Sequence, residues 1–290
     1  MTNTALPDTL PSTDTFAIAR DGTRLSYRLT PAQNPAKTNA RLVLVHALAM
    51  DKNLWNGTIA ALKSAADIIT LDCRGHGLSD KPAGPYRVEQ FADDIADILA
   101  HAGWESAIVT GASMGGCVAL AFASGHGDKT DGLGLIDTTA WYGENAADAW
   151  QKRADKARDE GLSALLAFQK TRWFGDSFRE NPANNAVIDS AVETFLANDI
   201  SAYHATCMML GAADLRSGLA GFDFPCVIRV GSEDYATPIE MAQAMASAIP
   251  DAKMEIMDGI RHFSPLEAPD MIAAALQELI GDVTAATNNS

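Results

Sequence analysis

The sequence has few cysteines, few basic residues and no long apolar run. Its four cysteines, Cys73, Cys117, Cys207 and Cys226, are scattered over 290 residues without paired spacing. That excludes a disulfide framework, and Cys117 and Cys226, set in apolar runs, read as buried thiols. A cytoplasmic protein without disulfides is the expectation. Lys and Arg number 22 against 37 Asp and Glu, a net charge of -15. Such a balance argues against nucleic acid and anionic membranes as partners. No apolar stretch is long enough to span a bilayer. The start, Met1 to Thr15, is polar and rich in Thr and Pro, with no basic region followed by an apolar stretch. No signal peptide is expected there, and this segment and Thr284 to Ser290 read as loose tails. No cluster of His, Cys and carboxylates has metal-ligand spacing, and no glycine-rich loop has the phosphate-binding pattern. Neither a metal nor a cofactor is expected.

What the chain does have is apolar content, 47% of residues, enough for a large core. Asp21-Gly22 between two strand-like runs signals a hairpin. Arg41 to Val45 is a continuous apolar run, as expected of a strand covered on both faces. Helical spacing from Asp51 to Ser64, a strand from Asp67 to Leu71 and an amphipathic helix from Val88 to Ala102 follow. Strands then recur at 106–110 and 132–137, and later at Pro225 to Val230 and Lys253 to Met257. Helices are expected near Glu240 to Ala248 and from Pro269 to Ile280. This alternation specifies an α/β fold with a mostly parallel, doubly covered sheet. It is interrupted from about 141 to 213, where 145–160, 161–173, 183–198 and 200–212 each read as a helix. The expected organisation is a core of 1–140 and 214–290 with a helical cap, 141–213, inserted before the last two strands. Such a cap lies over the strand C-termini, where ligands bind in open α/β sheets.

The chemistry centres on Gly111-Ala112-Ser113-Met114-Gly115-Gly116. An apolar strand ends there, an Ala-rich helix begins at once, and Gly-x-Ser-x-Gly across that junction is a nucleophile elbow. The turn forces Ser113 into a strained backbone conformation, and side chains at Gly111 and Gly115 would collide with the neighbouring strand and helix. Ser113 then projects at a helix N-terminus, where the backbone N–H of Met114 can meet a developing oxyanion.

A serine hydroxyl needs a base, and the base needs an orienting carboxylate, in the chain order Ser, acid, His for this kind of elbow. His126 follows the elbow helix, His204 lies mid-helix in the cap, and His262 follows the last strand. His262 is therefore the candidate base. Asp234, four residues beyond a strand end, is the preferred acid; Asp137, at the end of the earlier strand, is the alternative. The second oxyanion donor is assigned to the backbone N–H of Leu48, in the loop after Val45. His46 and His76 read as structural.

These motifs, with Asp72-x-Arg74-Gly75-His76-Gly77-x-Ser79, Gly231-x-x-Asp234-x-x-Thr237-Pro238 and His262-Phe263-Ser264-Pro265, resemble the α/β-hydrolase superfamily from about Thr15 to Leu279. Within it the chain looks most like 3-oxoadipate enol-lactonases, through Asp137 to Ala140, Trp150 to Arg153, Arg172 to Phe174 and Ala213 to Arg216. The resemblance implies hydrolysis of an enol lactone that carries a carboxylate, in bacterial breakdown of aromatic compounds. The chain departs from that pattern at Asp137, where the family commonly has Asn, and at Ala49, where it commonly has Gly. Trp141-Tyr142 at the cap entrance is also bulkier than the pattern. The expected partner is a small-molecule substrate, a lactone or ester cleaved through an acyl-enzyme. A C–C hydrolase or general carboxylesterase on the same triad, or a small-molecule receptor on a hydrolase fold, remains an alternative. Trp141, Tyr142, Trp173 and Phe174 are expected to form an apolar lid that selects the substrate. Arg172 is the candidate for its carboxylate, since arginine can donate two hydrogen bonds to one carboxylate. Arg74 is the other choice, in a loop better suited to tying strands together.

Overall fold

The computed structural model describes residues 13–32, 40–62 and 66–288. The tail expected at the N-terminus lies largely outside the described residues.

Eight strands form one sheet: β1 (Thr15–Ile18), β2 (Arg24–Thr30), β3 (Arg41–Val45), β4 (Asp67–Leu71), β5 (Ala107–Ala112), β6 (Thr130–Ile136), β7 (Cys226–Gly231) and β8 (Lys253–Met257). Their order is β1-β2-β4-β3-β5-β6-β7-β8. The β1–β2 hairpin and the β2–β4 pair are antiparallel, and every pair from β4 to β8 is parallel. The chain crosses from β3 to β4 in one direction and from β4 to β5 in the other. The order therefore reverses between β3 and β5, with Val45 beside Gly111. A crevice outside the strand C-termini at such a reversal is where open α/β sheets place their ligands.

The central strands are buried on both faces, as their unbroken apolar runs require; Leu42 to Val45 are fully buried. Their covering helices include α1 (Asn56–Leu62), α2 (Val88–Ala102) and α3 (Met114–Gly125). On α2 the buried stripe is Phe91, Ile95, Ile98 and Leu99, and Gly103 ends the helix in the left-handed conformation, φ 71°.

Between β6 and β7 the described residues form no strand. They form α4 (Ala146–Glu160), α5 (Leu166–Trp173), α6 (Asp176–Glu180), α7 (Asn185–Leu196) and α8 (Ile200–Ala212). The cap leaves and rejoins the core at one neck, where Leu215 N–H donates to Ala140 C=O at 2.9 Å and Trp141 bridges Asp214. The short α6 is absent from the expected elements, because a single turn carries no apolar periodicity.

After β7 come α9 (Ile239–Ala248), α10 (Ser264–Glu267) and α11 (Pro269–Asn288). The last corrects the expected C-terminal tail: residues 284–288 continue the helix. Thr284 Oγ1 donates to Ile280 C=O and Thr287 Oγ1 to Val283 C=O. This polar last turn has no apolar stripe to reveal it, and its threonine hydroxyls bond back to the helix's own carbonyls.

Candidate active site

The site starts from a backbone constraint. Ser113 has φ 52° and ψ -115°, a strained conformation for a residue with a side chain. Its N–H donates to Ile136 C=O at 2.9 Å, and its C=O accepts from Thr138 Oγ1 at 2.6 Å. The neighbours are glycines for a steric reason. A Cβ on Gly111 would land on the backbone of Gly115, and one on Gly115 would land on the carbonyl of Val45. The elbow therefore presses α3 against β3 and β5 and lifts Ser113 off the sheet.

Two further strand ends deliver its partners. After β8 the loop carries His262, whose Nε2 lies 2.9 Å from Ser113 Oγ. After β7 the turn carries Asp234, whose Oδ2 lies 2.8 Å from His262 Nδ1. Asp234 is itself fixed: Oδ1 accepts from Ala236 N–H (2.7 Å) and Thr237 N–H (3.0 Å), and Oδ2 from Thr237 Oγ1 (2.9 Å). Burial opposes its charge, but His262 and these donors hold its carboxyl below the usual range.

Asp137 is placed differently. It is fully buried, with φ 44°, a conformation that Asn and Asp tolerate best after glycine. Oδ1 accepts from Gly231 N–H (3.2 Å), while Oδ2 accepts from Ser264 N–H (3.1 Å) and lies 2.5 Å from Ser264 Oγ. Burial, reinforced by Asp234, raises its pKa well above the carboxylate range. It thus joins the chain just after His262 to the end of β7, and it makes no hydrogen bond to the imidazole. Ala49, the other departure from the family pattern, also has a positive φ, 60°.

The loop after β3 is held by His46. His46 Nδ1 donates to Ala47 C=O (2.8 Å), Nε2 accepts from Cys73 N–H (2.9 Å), and Met50 N–H donates to Ala47 C=O (3.1 Å). Within the planar trans peptide, fixing Ala47 C=O leaves Leu48 N–H pointing the opposite way. Neither Leu48 N–H nor Met114 N–H has a hydrogen-bond partner among the described residues.

The cavity over Ser113 brings together Leu48, His262, Tyr142, Arg172 and Trp173 from the expected set. Two expected lid residues fall outside it. Trp141 faces a separate groove against α9, beneath the Arg216 guanidinium, 3.8 Å from its ring centre. Phe174 is fully buried between Phe178 and Phe263 and holds the cap to the His262 loop. Arg74 is also elsewhere, paired with Asp94 at 2.6 Å and Asp21 at 2.8 Å.

Trp150 and Arg153, which the reading of the sequence did not assign to the site, complete the cavity from α4. The signal was available: they are three residues apart on one helix face with the buried Ala154 and Ala157. Arg153 Nε donates to Tyr203 Oη at 2.7 Å. Neither Arg153 nor Arg172 has a carboxylate partner among the described residues, and Arg172 has no hydrogen bond there either. Burial, and the nearby Arg153, push Arg172 down to about 10, so it stays charged at neutral pH. Two half-buried cations lining the cavity over a serine, without counter-ions among the described residues, suit an anionic ligand.

A sharp strand-to-helix turn carrying Ser113 at the C-terminal edge of the sheet, beneath inserted helices, defines the class. This chain belongs to the α/β-hydrolase fold family, whose profile matches residues 40–269. A 3-oxoadipate enol-lactonase of Acinetobacter baylyi is 30% identical over 261 residues, covering 87% of this chain and 91% of that protein. Among solved structures, the enol-lactonase from Burkholderia xenovorans LB400 superposes with a TM-score of 0.85 at 29% identity, over 92% of this chain and all of that one (100%). The malate-bound thermophilic esterase from Thermogutta terrifontis has a TM-score of 0.84 at 26% identity, over 93% of this chain and 99% of that one.

Proposed function

We propose that the protein is a serine hydrolase that cleaves a small lactone or ester carrying a carboxylate. The observation that carries this reading is the continuous relay from Ser113 Oγ through His262 to Asp234, at 2.9 and 2.8 Å. Ser113 Oγ attacks the carbonyl carbon while His262 Nε2 takes its proton. Asp234 keeps the proton on Nδ1 and stabilises the imidazolium that forms. The N–H groups of Leu48 and Met114 receive the oxyanion, where two donors without other partners are most effective. As the C–O bond breaks, His262 returns the proton to the leaving oxygen. Water, activated by the same imidazole, then releases the acyl group as a carboxylate.

The anionic part of the reading rests on Arg172 and Arg153, and on the likeness to enol-lactonases. The substrate's carboxylate is held by Arg172, with Tyr142 and Trp173 packing its apolar part. The net charge of -15 repels anions at long range. Local cations must therefore offset that field at the cavity.

The test has two arms. A fluorophosphonate should label Ser113 in the native protein and fail on Ser113→Ala, which should also lose turnover. A panel of enol lactones, aryl esters and dienoic diketones should give its highest kcat/KM on a carboxylate-bearing lactone or ester. Preference for the diketone would make the enzyme a C–C hydrolase. A persistent adduct with negligible turnover on the whole panel would point to a receptor.

A further inference from the structure

Ser113 lies under a cavity of only about 20 Å³, room for little more than a water molecule. A lactone ring is several times larger, so part of the wall must yield before substrate reaches the serine. Most of the wall is braced. Ser113 directly follows β5, and Leu48 and His262 lie in the loops after β3 and β8. Trp150 and Arg153 belong to α4, and Arg153 is bonded to Tyr203 on α8. Trp173 stacks on Phe263, centroids 5.0 Å apart and nearly parallel, and Phe263 N–H donates to Trp173 C=O at 2.9 Å.

Tyr142 packs edge-on against Trp150, which leaves Arg172 on α5, with no hydrogen bond among the described residues, and Thr237 in the turn after β7, whose N–H and hydroxyl are bonded to Asp234. Each has an exposed aromatic close by on its own element. Phe168, one turn before Arg172, is 55% exposed, and the Arg172 guanidinium lies 6.0 Å from its ring. Tyr235, two residues before Thr237, is 46% exposed. The two rings face each other across the seam, centroids 6.3 Å apart. Beside them Tyr235 Oη donates to Thr171 Oγ1 at 3.2 Å. On α5, too, the buried Gln169 has an Oε1 with no hydrogen-bond partner among the described residues. The closed packing of this helix leaves that oxygen desolvated without compensation. Arg172 thus lines the serine's cavity and lies beside the solvent-facing aromatic pair, in a seam that Arg261 spans from Thr171 C=O to the Glu233 carboxylate.

We infer that the seam between α5 and the 234–237 turn is the entrance to the Ser113 cavity. Phe168 and Tyr235 form its gate and set the width of the group admitted. This rests on the reading of Ser113 as the reacting residue, but its test does not require turnover. The four native cysteines are buried, so a Ser113→Cys protein offers one thiol in the cavity. Its reaction rate with a small methyl disulfide and with a bulky aromatic disulfide measures access. Adding Phe168→Ala or Tyr235→Ala should speed the bulky reagent about tenfold and leave the small one within about twofold, as removal of a gate requires. Adding Leu196→Ala, an exposed residue at the end of α7 that does not line the cavity, should change neither. Unchanged bulky-reagent rates in both gate variants would overturn the inference. So would an equal rise in the Leu196 variant, which would signify general loosening of the cap. The thiol rates read the route even if Ser113→Ala retains turnover, so failure of the gate and failure of the hydrolase reading are separable.

Discussion

The sheet edge and the underside of the cap both face Ser113, but they hold their residues by different means. At the sheet edge, Ser113, Asp234 and His262 follow three strand ends, and main-chain bonds set the positions of Ser113 and Asp234. Under the cap, Arg153 is held by a hydroxyl on α8, and Trp173 by a stacked ring on the His262 loop together with one main-chain bond from Phe263. The first arrangement ties the groups to backbone positions and suits a reaction that needs them placed within a fraction of an ångström. The second can be repacked without disturbing the sheet, and suits selection among substrates. Changes at the sheet edge should therefore abolish chemistry, while changes under the cap should redistribute it.

The strongest break in this contrast is at the two aspartates. Asp234→Asn removes the acceptor for His262 Nδ1–H and should lower kcat by a factor on the order of 10⁴. Asp137→Asn preserves shape and disturbs only the bonds to Ser264 and Gly231. It should cost stability, about 1–3 kcal/mol for a buried polar group left imperfectly paired, and leave most of kcat. Steady-state kinetics with denaturant melts on both variants decide it. A crippled Asp137 variant beside a mild Asp234 variant would exchange their roles.

Next in size is the carboxylate contact under the cap. Arg172→Leu should weaken kcat/KM on an anionic lactone by about 1.5–3 kcal/mol, the range for a hydrogen bond to a charged group. Its neutral methyl ester should be nearly unaffected. Arg153→Leu should show the same selectivity with an added loss of stability, because Tyr203 loses its partner. Equal loss on both substrates would remove these arginines from substrate recognition.

A smaller effect separates the regions through pH. His76 at the sheet edge is buried with its Nε2 unpartnered among the described residues, and burial lowers its pKa from 6.5 to about 3. Between those values the unfolded chain binds a proton that the folded chain does not, so stability rises with pH across that window and falls on acidification. The contribution of one such group is about 1.4 kcal/mol per pH unit. His76→Gln should flatten the slope of unfolding free energy against pH by up to that amount, measured by urea melts between these limits. An unchanged slope would mean that this histidine protonates within the fold.

The two regions were also unequally legible in the sequence. β3, β4 and β8 have the expected boundaries: β3 and β4 are largely apolar runs, and all three are short segments framed by turns. The elbow was legible for a steric reason, since Gly111 and Gly115 touch backbone and tolerate no substitute. The cap's helices were visible in outline, but their rotation was not. Which of Trp141, Tyr142, Trp150 and Arg153 faces Ser113 depends on how α4 packs on α8, a contact between segments some fifty residues apart. Residue type alone suggests a lid for every aromatic near the neck. Arg153 enters the reading of the sequence only within a stretch that carries the resemblance and receives no role in the site there, because an arginine on a helix is usually solvated; its spacing from Trp150 is what distinguishes it.

The smallest expected effect tests that rotation directly. Trp141 and Tyr142 are adjacent, yet Tyr142 lines the serine's cavity and Trp141 lies under Arg216 in the groove against α9. Tyr142 also packs edge-on against Trp150, centroids 5.2 Å apart, and its hydroxyl is within reach of Cys117 Sγ at 3.8 Å. Tyr142→Phe should retain the ring packing and alter the polarity of the cavity, shifting kcat/KM between anionic and neutral substrates within a few fold. Trp141→Ala should leave that ratio unchanged. Its loss is confined to the neck, where the stacked guanidinium contributes about 0.5–1 kcal/mol at an exposed site. It should therefore appear as a lower melting temperature with Ser113 labelling intact. If Trp141→Ala shifts the substrate ratio more than Tyr142→Phe does, α4 approaches the sheet in a different rotation, and the division between a fixed edge and a selective cap must be redrawn at the neck.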